Sequence, residues 1–307
     1  MREPEMTQEL QAELHQGVLV RFFGGFYLAA DADGQEYTLR CPKKFRHQRL
    51  SPLVGDAVRF TPGQGEEEGW LVEILPRKTE CIRPPVANVT LLLVSICPSP
   101  EPDLLLVDRL LARAKKQGMK TALIVGKCDL DGGKLLVQMQ EEYRGADCPV
   151  LGVSARNKEG LDSVRALMRG ADCCCLAGQS GVGKSTLLNA LLDLQLETGE
   201  ISEKIQRGKN TTRYAQLLIH DGIRVLDTAG FSLLETEKGM EPEKLQELYP
   251  EFQPYIGQCC FQPCLHDREP GCAVTQAVQA GEIDGNRVER YRELLADVRL
   301  AWKNRYQ

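Results

Sequence analysis

The sequence lacks three features that would have placed it in a broad class at once. Its 307 residues carry a net charge of −5, so nucleic-acid binding would have to use a local basic patch. No apolar run reaches the roughly 18 residues of a membrane-spanning helix, and the polar, acidic residues 1–11 do not resemble a signal peptide. We therefore expect a cytoplasmic protein without membrane contact, and its length predicts two or three domains.

Cysteine, by contrast, is plentiful, at 12 residues. Three are consecutive in the apolar strand pattern at 173–175, and others surround a histidine, which favours reduced thiols and one metal site over disulfides. The spacing C-x₄-C-x-H-x₅-C is typical of a closed structural zinc site. The predicted ligands of one Zn²⁺ are Cys259, Cys264, His266 and Cys272. Cys260 is an alternative to Cys259, and buried free cysteines are the alternative to a metal site.

The pattern of apolar residues predicts three domains. Residues 1–78 contain five short alternating runs separated by glycine-rich turns, which predicts an all-β barrel such as an OB-fold. Residues 79–233 alternate buried strands with helical patterns, which predicts a parallel α/β sheet. Residues 234–307 show no convincing strand, and we expect helices around the cysteine cluster.

A basic segment lies between the third and fourth predicted strands of the barrel. Its five cations surround one aromatic residue. This composition is found in RNA-contact surfaces and also in ordinary solvated loops, and both interpretations stay open. The candidate RNA-binding residues are Arg40, Lys43, Lys44, Arg46 and Arg49.

The segment GQSGVGKS at 178–185 matches the phosphate-loop pattern G-x-x-x-x-G-K-[ST] and lies between a predicted strand and a predicted helix. Backbone N–H groups and the helix N-terminus would face a polyphosphate, Lys184 would reach the β- and γ-phosphate oxygens, and Ser185 would bind Mg²⁺. The predicted nucleotide-binding residues here are Gly178, Gln179, Ser180, Gly181, Val182, Gly183, Lys184, Ser185 and Thr186.

Two downstream segments complete the predicted magnesium and γ-phosphate site. Asp227 ends a predicted strand in the sequence DTAG, where its carboxylate would hold Mg²⁺ through water and the Gly230 N–H would contact the γ-phosphate. The polar loop 208–213 contains Thr211 and Thr212, and we favour Thr212 as the Mg²⁺ ligand.

Two upstream segments predict which base is bound. Lys127 and Asp129 follow one buried strand in the sequence GKCD, and Ser154 and Ala155 follow the next. An aspartate here accepts hydrogen bonds from guanine N1–H and N2–H₂, whereas adenine would leave it unpaired. The Lys127 stem would lie over the base, and the Ala155 N–H would face guanine O6. Either segment alone fits a turn or a helix cap, but together they predict GTP and GDP over the alternative, a P-loop ATPase.

The motif order, with the base-reading segments first, resembles that of the circularly permuted GTPases. With the barrel before and the Cys₃His cluster after, residues 17–300 are similar to the bacterial family of ribosome small-subunit-dependent GTPase A. Shared segments include PLVGD at 52–56, CLHDREPGCAV at 264–274 and AVQAGEI at 277–283. The resemblance implies a cytoplasmic GTP hydrolase that binds the 30S subunit late in its maturation and hydrolyses GTP faster when bound. The barrel and the zinc domain would contact 16S rRNA, and we expect a monomer.

Three positions depart from the expected pattern. Gly126 stands where the guanine motif usually begins with Asn or Thr, so a side chain that braces the loop is missing. Asn210 stands where family members often carry His, and Phe231 stands where many GTPases have the glutamine that positions water. Asn210 can orient water but cannot take its proton, so we expect slow intrinsic turnover, with Asn210 or rRNA positioning the water. The predicted catalytic residues are Lys184, Asn210, Thr212, Asp227 and Gly230. They favour a hydrolase over a non-catalytic, nucleotide-sensing adaptor.

Overall fold

The architecture comes from a computed structural model of the chain. The structure describes residues 14–43, 45, 50–63, 65, 67–81, 85–193, 215–228 and 240–305, with the backbone alone at 227 and 228. The chain divides into two compact units. The first comprises Met1–Leu91, Leu167–Leu176 and Leu196–Phe231, and the second comprises Leu92–Ala166, Ala177–Gln195 and Ser232–Gln307.

A closed five-stranded barrel forms the N-terminal part of the first unit. Its strands are β1 (His15–Phe23), β2 (Phe26–Ala30), β3 (Glu36–Arg40), β4 (Ala57–Thr61) and β5 (Gly69–Ile74). The order β1-β2-β3-β5-β4 is closed by pairing of β4 with β1, which confirms the predicted OB-type barrel. Alternate residues of these strands point inward, and Leu19, Leu39, Phe60 and Leu71 are completely buried.

The remaining strands of the first unit continue from the barrel. They are β6 (Glu80–Cys81), β7 (Val86–Ala87), β11 (Cys174–Ala177), β12 (Ala215–His220) and β13 (Ile223–Thr228). β11 runs parallel to β13, and β12 is antiparallel to both β13 and β1. Gln216 of β12 pairs with Arg21 of the barrel on one side and with Asp227 on the other. One three-strand ladder therefore joins the barrel to the strand that enters the DTAG segment.

The three consecutive cysteines behave as apolar core residues. Cys173, Cys174 and Cys175 are buried, and none of the three forms a disulfide. Burial raises the pKa of Cys174 to about 12, so the thiol stays protonated and unreactive.

The second unit alternates strands and helices, as predicted. Its strands are β8 (Leu91–Ile96), β9 (Lys120–Val125) and β10 (Val150–Gly152), in the order β10-β9-β8, and β9 and β10 run parallel. Its helices are α1 (Leu104–Lys116), α2 (Lys134–Glu142), α3 (Leu161–Arg169) and α4 (Lys184–Leu192). All of β8 is buried, which explains why every residue in it except Ser95 is apolar. Asp103 caps α1 by accepting a hydrogen bond from Leu106 N–H at 2.9 Å.

The C-terminal module, residues 240–305, contains helices and turns and no strand in its described residues, as predicted. Two 3₁₀ segments, Pro242–Leu248 and Pro250–Tyr255, precede α5 (Ala273–Gln279) and α6 (Gly285–Lys303). The rings of Tyr249, Phe252 and Tyr291 pack at centroid distances of 4.8 to 5.1 Å. These aromatics form the core around which the cysteine segment folds.

A buried ionic network fastens the C-terminal module to helix α1. Asp108 of α1 is fully buried and accepts hydrogen bonds from Tyr143 Oη at 2.7 Å, from Arg290 Nε at 2.6 Å and from Arg287 Nη1. Arg287 also donates to Glu251 Oε1 from Nε at 2.8 Å. Burial alone would lower the pKa of Arg287, but Asp108 and Glu251 raise it well above its usual value. Both guanidinium groups therefore stay charged.

Among the helices of the described residues, none combines the length and the apolar character that crossing a membrane requires.

Candidate functional site

The phosphate loop follows β11 and leads into α4. Gly178 has a φ of +135°, and a Cβ at this position would lie 2.2 Å from Ser95 O, so only glycine fits. The Lys184 ammonium donates to the carbonyls of Gly178 and Gln179, each at 2.8 Å. Burial lowers the pKa of Lys184. The loop's own carbonyls thus hold this ammonium over the loop, where a polyphosphate would approach.

Gln179 ties the phosphate loop to the start of α1. Its Oε1 accepts from Asp103 N–H at 2.8 Å, and its Nε2 donates to Glu101 O at 2.9 Å. Sequence reasoning placed Gln179 in the loop without a role for its side chain. Two hydrogen bonds from one amide fix the position of the loop's second residue.

The predicted guanine-reading residues meet at the ends of β9 and β10. Asp129 Oδ1 accepts a hydrogen bond from Ser154 Oγ at 2.7 Å, and Ser154 Oγ in turn accepts from Asn157 N–H at 3.2 Å. Ser154 is 1% exposed, whereas Asp129 is exposed. A buried hydroxyl therefore orients a carboxylate that remains open to a ligand.

Lys127 bridges the guanine-reading and phosphate-binding segments. Its φ is +56°, and its ammonium donates to Ser99 O at 2.8 Å and to Gly181 O at 3.2 Å. These contacts lay the aliphatic stem of Lys127 beside Gly183. The stem is thus placed to cover one face of a planar base.

These segments line one cavity of about 240 Å³. The predicted residues on its wall are Lys127, Asp129, Ala155, Val182, Gly183 and Thr186. Leu130 and Arg156 also line it and were not predicted. Sequence reasoning could have included Arg156, since it follows Ser154 and Ala155 directly. The cavity combines a hydrogen-bond-accepting carboxylate with an adjoining anion-binding loop, which suits a guanine nucleotide.

Several predicted residues of the magnesium and γ-phosphate site lie outside the described residues. These are Asn210, Thr211, Thr212 and Gly230. Asp227 is placed by its backbone in β13, opposite Gln216. Ser185 stands in the first turn of α4, as predicted.

The four predicted zinc ligands come together in the C-terminal module. The ligand atoms of Cys259, Cys264, His266 and Cys272 lie within 4.8 Å of one another, and all four residues are buried. His266 Nδ1 lies 3.7, 3.6 and 3.3 Å from the sulfurs of Cys259, Cys264 and Cys272. Tetrahedral bonds of zinc would place nitrogen and sulfur about 3.5 Å apart. The cluster therefore fits a four-coordinate metal ion.

The surroundings of His266 favour metal binding through Nδ1. Its Nε2 lies 2.9 Å from Gln246 Oε1, and this amide oxygen can only accept, so Nε2 carries the proton and the Nδ1 lone pair faces the sulfurs. Burial lowers the pKa of His266, which favours the neutral imidazole that a metal needs. Ala273 N–H donates to Cys259 Sγ at 3.3 Å, whereas Cys260 is exposed and lies outside the cluster.

Of the predicted basic surface, the structure describes Arg40 and Lys43, whereas Lys44, Arg46 and Arg49 lie outside the described residues. Arg40 donates to Glu68 at 2.9 Å, and its guanidinium also lies over the ring of Phe26, 5.7 Å from the centroid. Lys43 is exposed.

The first two strands of the barrel form an aromatic hairpin whose residues were not among the predicted contacts, although both strands were predicted. β1 and β2 are joined by Gly24 and Gly25, which both have positive φ, as tight hairpins require. The strands present Phe22 against Tyr27 at 4.9 Å, and Arg21 lies over Phe23 at 5.1 Å. The sequence does contain a pattern from which this candidate contact surface could have been predicted: aromatic residues on both sides of a Gly-Gly turn, next to an arginine.

A phosphate loop and, upstream of it in the chain, the predicted guanine-reading carboxylate of Asp129 line one cavity, and this motif order is that of a P-loop GTPase with circularly permuted motifs. The chain belongs to the RsgA GTPase family, a family of GTP hydrolases: the family model for the RsgA GTPase matches residues 74–237 and that for the RsgA N-terminal domain matches residues 16–71.

Curated relatives and solved structures agree with this membership. The chain is 41% identical over 289 residues to a small ribosomal subunit biogenesis GTPase RsgA of Geobacillus thermodenitrificans, covering 92% of this chain and 97% of the relative. It is 40% identical to the protein of that name from Moorella thermoacetica, with the same coverage. The crystal structure of YjeQ from Thermotoga maritima superposes with a TM-score of 0.78 at 31% identity, covering 93% of this chain and 98% of that one. YloQ, described as a circularly permuted GTPase, gives 0.77 at 28% identity, covering 96% and 98%.

Proposed function

We propose that this chain hydrolyses GTP as an assembly factor of the small ribosomal subunit, and that the bound 30S subunit stimulates hydrolysis. The observation that carries the proposal is the convergence of Asp129 and the phosphate loop on one cavity. It occurs in a chain about 40% identical to proteins named as small ribosomal subunit biogenesis GTPases.

The nucleotide is held by two groups of residues with separate tasks. Asp129, oriented by Ser154, pairs with the N1–H and N2–H₂ of guanine, and Ala155 N–H faces O6. The Lys184 ammonium leaves the carbonyls of its own loop and binds the β- and γ-phosphate oxygens. Its positive charge then neutralises the negative charge that develops on these oxygens during phosphoryl transfer.

Magnesium would complete the phosphate site, where it supplies positive charge to the β- and γ-phosphates. Ser185 stands in the first helical turn after the phosphate loop, the position from which a hydroxyl reaches this ion. Thr212 and Asp227 are the other proposed ligands. Asn210 or rRNA would orient the attacking water. Asn210 would act only by orientation, because an amide cannot take up the proton of that water.

The barrel is the proposed contact with 16S rRNA. Its β1–β2 hairpin exposes Phe22 and carries Arg21 and Tyr27, and Arg40 lies alongside. Aromatic faces next to guanidinium groups bind unstacked bases without a need for overall positive charge. The basic segment with Lys43, Lys44, Arg46 and Arg49 would extend this surface along the phosphate backbone.

Stimulation by the subunit has a structural route through the barrel. Arg21 of the hairpin strand pairs with Gln216, which pairs with Asp227. A force on β1 therefore acts on the strand that holds the proposed magnesium aspartate. We also propose one structural Zn²⁺ per chain, a monomeric cytoplasmic protein, and the domains 1–78, 79–233 and 234–307.

Co-sedimentation with purified ribosomal subunits tests this function. The non-hydrolysable GTP analogue should promote pelleting with 30S and not with 50S subunits, and excess GTP but not ATP should compete for the nucleotide site. Equal competition by ATP would support a P-loop ATPase instead. Equal pelleting with both subunits would contradict the proposed partner.

A further inference from the structure

Glycine at position 126 is required neither by the backbone nor by packing. Gly126 follows β9, and its N–H donates to Ile96 O at 2.8 Å. Its φ is not among the positive values that other glycines show, and a Cβ would meet only Ile96 O at 3.5 Å and Val182 O at 3.9 Å. These are ordinary van der Waals distances, in contrast to the 2.2 Å clash that forbids a side chain at Gly178.

The missing side chain would lie between the two halves of the nucleotide site. Gly126 lines the same cavity as Asp129 and Val182. A Cβ at this position would lie 3.9 Å from the carbonyl oxygen of Val182 in the phosphate loop. The amide nitrogen of asparagine lies two bonds beyond Cβ, so an asparagine here would bring an N–H₂ donor within reach of that oxygen.

In this chain a lysine side chain connects the two halves. The Lys127 ammonium reaches Gly181 O at 3.2 Å while also donating to Ser99 O. This ammonium is charged, well hydrated and carried on a flexible stem, so holding it in place costs conformational entropy. A short amide at position 126 would fix the guanine-reading loop on the phosphate loop with far less freedom.

We propose that Gly126 sets the residence time of guanine nucleotide and makes the site a fast-exchanging one. The inference rests on the proposed binding of GTP and GDP. When the bracing hydrogen bond is absent, the Asp129 segment moves away from the phosphate loop more readily, and the base loses its hydrogen bonds before the phosphates leave. Exchange of GDP for GTP then depends less on an external exchange factor.

Stopped-flow release of fluorescent mant-GDP from the full-length, magnesium-loaded protein tests the proposal. Gly126→Asn should slow release about fivefold to tenfold, the equivalent of one net hydrogen bond. Gly126→Ala adds Cβ without the amide and should stay within about twofold of wild type. Gly132→Asn is the matched control, since Gly132 has open space around it and a left-handed conformation that asparagine tolerates.

Release from Gly126→Asn that is no slower than from Gly126→Ala would overturn the proposal. If Gly126→Asn does not fold, as judged by circular dichroism, Gly126→Thr offers a smaller donor and must show slower release than the alanine variant. Failure of the proposed function is distinguishable, because wild-type protein would then bind no mant-GDP at all, or would lose it equally to ATP.

Discussion

Replacement of Arg287 by alanine should destabilise the C-terminal module more than any exposed charge replacement in it. The guanidinium of Arg287 is 4% exposed, donates to Asp108 and Glu251, and lies over the rings of Tyr143 and Tyr249 at 4.6 and 4.9 Å. Removal of the cation leaves two buried carboxylates with one fewer partner. Breaking a buried pair in this way costs about 3–5 kcal/mol, which corresponds to a melting temperature roughly 10 °C lower for a unit of this size.

Thermal unfolding and metal release together measure this effect. The melting temperature is followed by circular dichroism, and a chromophoric chelator reports loss of metal from the module. Lys244→Ala is the control, because Lys244 forms an exposed pair with Glu247 in the same module and its loss should change neither readout. Arg287→Lys should fall between, since an ammonium keeps the charge but not the fork of donors. If Arg287→Ala behaves like Lys244→Ala, the network does not hold the module to α1.

Three further predictions concern the nucleotide and metal sites. Asp129→Asn should weaken GTP binding by about 2–4 kcal/mol, because an amide donor would face guanine N1–H; calorimetry showing unchanged affinity would remove Asp129 from the site. Lys184→Ala should abolish phosphate release while the circular dichroism spectrum is kept, and retained turnover would reject its role. Cys264→Ser should release bound zinc, whereas Cys260→Ser should keep it, since Cys260 is exposed and lies outside the cluster; equal zinc content in the two variants would refute the ligand assignment.

The sequence predicted the barrel and the α/β alternation because their periodicities are local. The predicted strand runs 18–23, 26–30, 36–41, 56–61 and 70–75 differ from the observed β1–β5 by no more than three residues at any end. β12 was not predicted, and it pairs with β13 and with barrel strand β1, a neighbour nearly two hundred residues earlier in the chain. Such pairing is decided by tertiary contact rather than by local propensity.

The same distinction holds for the candidate site. The phosphate loop, Asp129 and the Cys₃His cluster could be found from the sequence because their chemistry requires fixed spacing. The hydrogen bond from Asp103 N–H to Gln179 and the Asp108–Arg287 ion pair could not be found in this way. Each joins residues that are far apart in sequence and follow no spacing rule. Asp108 is the instructive case: in an amphipathic helix it would be assigned to the solvent face, yet it is fully buried.

The ionic network also changes how the C-terminal module should be tested. Deletion of residues 240–307 would leave Asp108 and Glu142 of the nucleotide-binding unit without Arg287 and Arg290. Such a truncation would therefore destabilise the nucleotide-binding residues as well as remove the C-terminal module. Point variants on exposed surfaces of the barrel or the module therefore separate ribosome contact from folding more cleanly.

Single-turnover hydrolysis of γ-labelled GTP, with and without purified 30S subunits, is the decisive test of ribosome-stimulated hydrolysis. We expect slow hydrolysis by the isolated protein and a rate at least about tenfold higher with 30S subunits, with no increase from 50S subunits and none in Lys184→Ala. A rate that is the same with and without 30S subunits, in protein shown to bind both GTP and the subunit, would contradict it.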